Sequence, residues 1–184
     1  MGPADEKRAL RQRLRRARAE LTADARDAAN RLIALRLAAL ISPGALVGSY
    51  AATPYEAAPR LPVPPSQVAY PRVVDGELEF AMCAEGALVP GAFGVLEPPS
   101  WYPAVSLDRL SVVLVPGLAF TPGGGRLGQG GGHYDRLLSR LPGGIRTIGI
   151  AFDEQLVEAL PMEPHDQGVH LVLTPRRAQD APVV

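Results

Sequence analysis

The sequence predicts an α/β fold, a three-layer sandwich in which a largely parallel sheet is covered by helices on both faces. Three observations carry that expectation. The first forty residues place apolar side chains at three- and four-residue spacing, the period of a helix. Beyond residue 44, short apolar runs alternate with turn residues and further helical stretches. The most apolar run, Leu110–Val115, leads straight into a glycine-rich segment that a helix follows. Sheets of this kind bind ligands beyond the carboxyl ends of their strands, where such a segment must lie.

From Glu6 to about Leu21 the residues Leu10, Leu14, Ala17 and Leu21 make one apolar stripe on a helix. Lys7, Arg11, Arg15 and Arg18 make a second stripe, which by itself reads as a solvated basic face. Thr22 caps a second helix running to about Leu40, with Asp24 in its first turn and Ser42-Pro43-Gly44 ending it. Ala45–Tyr50 and Gln67–Tyr70 read as buried strands, and Val73–Phe80 as a hairpin turning at Asp75-Gly76. Pro90–Pro103 reads as loop. Tyr134–Leu141 is a helix with Leu137, Leu138 and Leu141 inward, Arg146–Phe152 a strand, Glu154–Leu160 a short helix and Val169–Leu173 a last strand. One domain over residues 1–184 is expected, without repeats.

Composition narrows the function classes. Apolar residues make up 47% and charged residues 21% of the chain, a balance that suits a globular fold and not a disordered one. Net charge is zero, so no global field recruits nucleic acid. The single cysteine, Cys83, excludes an internal disulfide and a cysteine-rich zinc site. Basic residues run through the first thirty positions in place of a secretory apolar region, and no apolar run approaches the roughly 20 residues of a membrane span. A cytoplasmic, monomeric enzyme with no membrane or nucleic-acid partner is the expectation.

The glycine-rich segment, Val115–Arg136, holds the chemistry. Glycines let backbone N–H groups converge on an anion, and a following helix adds its positive end. Arg126 offers a fixed charge for phosphate, and Asp135 a hard oxygen ligand for Mg²⁺. Gly128–Asp135 therefore reads as a phosphate and metal cradle, against the bland alternative of a flexible surface loop. No Gly-Lys pair exists, which excludes a P-loop. Gly123-x-Gly125-x-x-Gly128 matches a dinucleotide fingerprint only formally, since no acidic residue stands about 20 positions further on.

At this segment the sequence resembles the 5-formyltetrahydrofolate cyclo-ligase (methenyltetrahydrofolate synthetase) family. The series Val115-Pro116-Gly117-Leu118-Ala119-Phe120, Arg126-Leu127-Gly128 and Gly130-x-Gly132-x-Tyr134-Asp135-Arg136 is similar to the family signature in order and spacing. Further matches are Lys7-x-x-x-Arg11, Tyr50 with Glu56, Glu97-Pro98, Ala151-Phe152 with Gln155, Leu160-Pro161 and His165-Asp166. The resemblance implies a folate enzyme of one-carbon metabolism that converts 5-formyltetrahydrofolate to 5,10-methenyltetrahydrofolate, with ATP as co-substrate and Mg²⁺ as cofactor. It assigns ATP to Lys7, Arg11, Arg126, Leu127, Gly128, Gln129, Gly130, Gly131, Gly132, His133 and Tyr134. It assigns the folate to Arg11 and Glu56, catalysis to Arg126 and Tyr134, and magnesium to Asp135 and Asp166. Tyr50 and Trp101 are aromatics that could pack on a flat ligand.

Four positions depart from the pattern. Thr121 stands where the family usually has Asp, so a loop-fixing or metal role there is expected to be altered. Gln129 replaces a residue that is basic or aromatic in some members, His133 replaces an aromatic, and His170 an Asp. Two other readings stay open: another ATP-dependent ligase or kinase on the same scaffold, and an RNA-binding protein using the Lys7–Arg18 basic helix.

Overall fold

The computed structural model describes residues 3–91 and 94–180. Ala92 and Phe93, within the loop expected over Pro90–Pro103, lie outside the described residues, as do the ends of the expected domain. The chain opens with helices α1 (Pro3–Glu20) and α2 (Ala23–Leu40). Thr22 caps α2 by accepting the Ala25 N–H at 3.2 Å, as the sequence indicates. The strands are β1 (Val47–Gly48), β2 (Val68–Val74), β3 (Glu77–Met82), β4 (Val89–Pro90), β5 (Leu96–Glu97) and β6 (Ala104–Val105). Then come β7 (Val112–Pro116), β8 (Ala119–Phe120), β9 (Arg126–Leu127), helix α3 (His133–Ser139), β10 (Arg146–Ile150), β11 (Leu171–Leu173) and β12 (Ala178–Asp180).

Eight strands form one sheet in the order β12-β11-β10-β7-β1-β2-β3-β6. The five from β11 to β2 are parallel, and β12, β3 and β6 pair antiparallel at the margins. Alternation along the strands divides the core. Val112, Leu114, Ile148, Ile150, Leu171 and Leu173 face Ile33 and Leu37 of α2. Val113, Val115 and Val172 face Leu137 of α3 on the other side. The expected sandwich is thus present.

The Asp75-Gly76 turn has φ of 50° and 82°, the positive pair that a two-residue hairpin needs. Pro71 sits inside β2 without harm, because β1 ends at Gly48 opposite Ala69 and asks no N–H of it. The expected helix over Glu154–Leu160 is absent. A 3₁₀ turn at Asp153–Gln155 stands there instead. The Gln155 side chain caps the Phe152 N–H and donates to the Gly117 and Leu118 carbonyls, while the Val157 N–H donates to Phe120. Those bonds draw the segment out straight.

The chain passes from β1 to β2 on one side and returns to β7 on the other. The loops leaving β1 and β7 therefore diverge, and a crevice opens between them. Phe120, fully buried, braces the β7 side. A Cβ at Gly149 would lie 2.4 Å from its ring and one at Gly117 2.7 Å away. Gly149→Ala is expected to lower unfolding stability by about 1–3 kcal/mol, measured by urea titration; an unchanged midpoint would mean that Phe120 is free to move.

Candidate active site

A cleft of about 820 Å³ opens at this switch point. All fourteen residues singled out from the sequence line it: Lys7, Arg11, Glu56, Arg126 through Asp135, and Asp166. Tyr50 lines it as well, whereas Trp101 is 77% exposed and does not.

The glycine-rich segment divides into two parts. Leu118 and Leu127 join β8 and β9 into a hairpin, and Thr121–Gly125 is its turn. Gly123 to Gly125 are not among the cleft residues; Gly124 accepts the Val169 N–H at 2.9 Å. The formal dinucleotide fingerprint is therefore split between two structures. Thr121 Oγ1 accepts the Gly125 N–H at 3.0 Å, so the hydroxyl fixes this turn without a negative charge.

Gly128–Gly132 is the part that faces the cleft. Gly130 and Gly132 have φ of 113° and 68°, which glycine alone adopts without strain. A Cβ at Gly128 would lie 2.7 Å from Arg126 Nη1. Arg11 Nε donates to the Gly128 carbonyl at 2.9 Å, and Arg15 donates to Gln129 Oε1 at 2.9 and 3.1 Å. The helix α3 that follows has only seven residues, so its dipole adds little.

Arg126 is buried beneath this loop. Its Nη2 donates to Asp135 Oδ1 at 2.8 Å and its guanidinium lies 5.7 Å from the Tyr134 ring centroid. Arg126 Nε and the Tyr134 hydroxyl are buried without a hydrogen-bond partner among the described residues. Unpaired buried polar atoms are rare in native proteins and need an explanation; beside a cleft, a ligand supplies one. Burial, then the nearby Glu56 charge, pushes the Tyr134 phenol far above its ordinary range, with Arg126 pulling the other way. The hydroxyl keeps its proton and stays a donor.

Glu56 Oε2 accepts the Thr53 N–H at 3.0 Å, and Oε1 stands 3.5 Å from Arg18 Nη1. Tyr50 donates to the Ala57 carbonyl at 2.5 Å, and burial raises its phenol well above the ordinary value.

Asp135 and Asp166 do not fall in one ligand cluster. Asp135 is engaged through Oδ1 by Arg126 and by the Gln167 N–H. Among the described residues, the group that could hold a metal is Glu163, His165 and Asp166, with donor atoms within 4.8 Å of one another. The Lys7 ammonium sits on this group, 2.6 Å from both Glu163 Oε2 and Asp166 Oδ2. Burial disfavours that ammonium, but hydrogen bonds and attraction from Asp166 and Glu163 outweigh it and raise its pKa. Burial also works against the Asp166 carboxylate, yet Lys7 and the Glu163 N–H hold its pKa below the ordinary value.

Sequence reasoning missed Arg18, Arg15 and Glu163. Arg15 and Arg18 read as a solvated face, yet Arg18 is 6% exposed and Arg15 reaches Gln129. The buried face of α1 is Lys7, Leu14 and Arg18, at spacings of seven and four. That spacing was the available signal. Lys7 and Arg18 are turned inward and are not part of an exposed basic face, which is left to Arg8, Arg13, Arg15 and Arg16. Two of the remaining departures have structural explanations. His133 Nδ1 lies 3.0 Å from the Gly76 carbonyl at the hairpin turn, and His170 Nδ1 accepts the Thr147 N–H at 3.0 Å, joining β10 to the start of β11.

A mostly parallel α/β sheet with a switch-point cleft, lined by a glycine loop, cations and an acidic loop, has the form of an α/β enzyme fold. The chain belongs to the 5-formyltetrahydrofolate cyclo-ligase family, whose family model matches residues 60–175. It is 41% identical over 101 residues to the 5-formyltetrahydrofolate cyclo-ligase of Mycolicibacterium smegmatis, covering 54% of this chain and 52% of that protein. The Escherichia coli protein of that name is 44% identical over 72 residues, 39% of this chain and 40% of that one. The match thus spans about half the length, or less, of these curated relatives. Among solved structures, the Aquifex aeolicus 5,10-methenyltetrahydrofolate synthetase superposes with a TM-score of 0.79 at 26% identity, over 97% of this chain and 94% of that one. The Mycoplasma pneumoniae 5,10-methenyltetrahydrofolate synthetase has a TM-score of 0.74 at 21% identity, over 92% and 99%, which bears on the fold.

The Lys7 anchor has a defined pH window. The lowered Asp166 contributes stability above its ordinary value of 3.8 and loses it as pH falls through its folded value. The raised Lys7 contributes below 10.5 and loses it as pH rises through its folded value. K7M is expected to cost about 3 kcal/mol near neutral pH in denaturant unfolding. The difference from wild type should shrink toward both extremes; a gap that persists at acid pH would rule the ion pair out as its source.

Proposed function

We propose that the chain converts 5-formyltetrahydrofolate to 5,10-methenyltetrahydrofolate with ATP, giving ADP and phosphate. The observation that supports this reading most is the single cleft. It brings together a glycine loop, cations, a fixed carboxylate and unpartnered buried donors.

A formamide oxygen is a poor leaving group, so the proposed first step is its attack on the ATP γ-phosphate, which expels ADP. N10 then attacks the formyl carbon, the carbon–oxygen bond breaks, phosphate departs and N10 loses its proton. Lys7, Arg11 and the N–H groups of Gly128–Gly132 are suited to the phosphates, and Arg126 to the charge that develops during transfer. Glu56 is suited to the paired N–H donors of a pterin, with Arg11 near the same substrate. Tyr134, protonated and unpartnered, is suited to donate to an oxygen of either substrate.

The residues fit a magnesium ion in chemistry: Asp166 and Glu163 offer hard oxygens on one loop, and Asp135 keeps Oδ2 clear of its two recorded bonds. Bound there, the ion would neutralise phosphate charge.

Wild-type protein with ATP, Mg²⁺ and 5-formyltetrahydrofolate is expected to generate methenyltetrahydrofolate absorbance. No signal while ATP still binds would favour a ligase or kinase with another organic substrate. R126M should lower kcat/KM by about 10²–10³-fold, and Asp135→Asn should raise the Mg²⁺ concentration needed for half-maximal rate. An unchanged Mg²⁺ dependence would remove Asp135 from the metal site.

A further inference from the structure

Arg18 is the one buried cation of α1 that the proposed chemistry leaves unused. Its side chain is 7% exposed, and it does not line the cleft. Burying a guanidinium there needs a reason, because an arginine is seldom fully buried unless it is paired. The partner is Glu56, with Oε1 at 3.5 Å.

That contact is long for a hydrogen bond, and Arg18 Nε and Nη1 have no hydrogen-bond partner among the described residues. The arrangement neutralises Glu56 without saturating it. The Thr53 N–H at 3.0 Å fixes Oε2 from the loop, and Arg18 attracts Oε1 from behind. A carboxylate has about four lone-pair sites, so acceptor capacity remains on Glu56, which lines the cleft. Of the two phenols close by, Tyr50 already donates to the Ala57 carbonyl, and the Tyr134 hydroxyl makes no hydrogen bond to Glu56.

We propose that Arg18 is a positioning residue for substrate recognition. It holds the Glu56 carboxylate in place at the cleft, so that Glu56 accepts paired N–H donors from a flat heterocycle. This role rests on the proposed reaction. It does not extend to the phosphates, which α1 serves through Lys7 and Arg11, about two to three turns nearer its N-terminus. Removing Arg18 therefore weakens the folate and not the nucleotide.

The test uses the full chain in three variants, R18M, R18K and Glu56→Gln, with the double variant R18M/E56Q. Initial rates of methenyltetrahydrofolate formation give kcat and separate KM values for 5-formyltetrahydrofolate and ATP. R18M should raise the folate KM by at least about tenfold, with the ATP KM within about twofold. R18K should recover part of the loss. Adding R18M to Glu56→Gln should change the folate KM little further, since the two residues act through one contact. Thermal melts of R18K and R18M separate this from loss of fold. Equal rises in both KM values, or an R18M effect as large in the Glu56→Gln background as in wild type, overturn the role. A wild type that makes no methenyltetrahydrofolate removes the reaction and this role together, whereas an active wild type with unchanged R18M removes the role alone.

Discussion

Three cations turned inward from α1 hold the two sides of the cleft to one helix. Lys7 lies between Glu163 and Asp166, Arg11 bonds the Gly128 carbonyl, and Arg18 faces Glu56. Among the described residues, Leu14 is the one buried apolar side chain of α1, in a small cluster with Ala119 and Leu127. Charge pairing thus carries much of what an apolar stripe carries in α2. Such pairs add modest net stability, yet removing one partner strands the other in a poorly solvated place at a cost of about 3–5 kcal/mol. From Lys7 to Arg18 is about 16 Å along a helix axis at 1.5 Å per residue. One rigid element therefore reaches from the acidic loop to Glu56.

Beneath α1, the glycine loop and Arg126 constrain each other. Gly128 must lack a side chain because Arg126 Nη1 occupies the space where a Cβ would sit. Arg126 is in turn held by Asp135 in the first turn of α3 and packed over Tyr134. The positive φ at Gly130 and Gly132 lets the chain turn from β9 into α3 within a few residues. Cation, loop and helix start are one unit, and a change at any of them displaces the others.

What was legible in the sequence was local or periodic. The α2 cap, the Asp75-Gly76 hairpin and the strands at Leu110–Val115 and Arg146–Phe152 follow from short-range rules, and the structure contains them. The strands β4, β5, β6, β8, β9 and β12 have two or three residues each, and only their partners define them. Glu154–Leu160 looked helical because the bonds that extend it go to Phe120 and to the Gly117–Leu118 carbonyls, over thirty residues away. The cleft residues Arg126–Asp135 were found because the glycine loop and the family signature are contiguous there, and Lys7, Arg11, Glu56 and Asp166 because the resemblance extends along the chain. Arg18 was missed for a physical reason: hydrophobicity sorts an arginine outward, and its partner lies on a loop 38 positions later. Glu163 was missed because it sits in no periodic segment and gains its meaning from Lys7.

Docking a helix by charge has a consequence that apolar docking lacks. An apolar stripe is satisfied once and has nothing to offer an anionic ligand. A buried ammonium needs an anion at all times, but it does not need a particular one. Glu163 is 34% exposed, so its share of the Lys7 contact is screened and can be given up at little cost. In the proposed reaction Lys7 would then change partner from a protein carboxylate to a nucleotide phosphate while α1 stays seated through Leu14, Arg11 and Arg18. Binding at such a site exchanges contacts more than it adds them. On the proposed function, the stability gained from a bound phosphate would accordingly be smaller than the number of cations lining the cleft suggests.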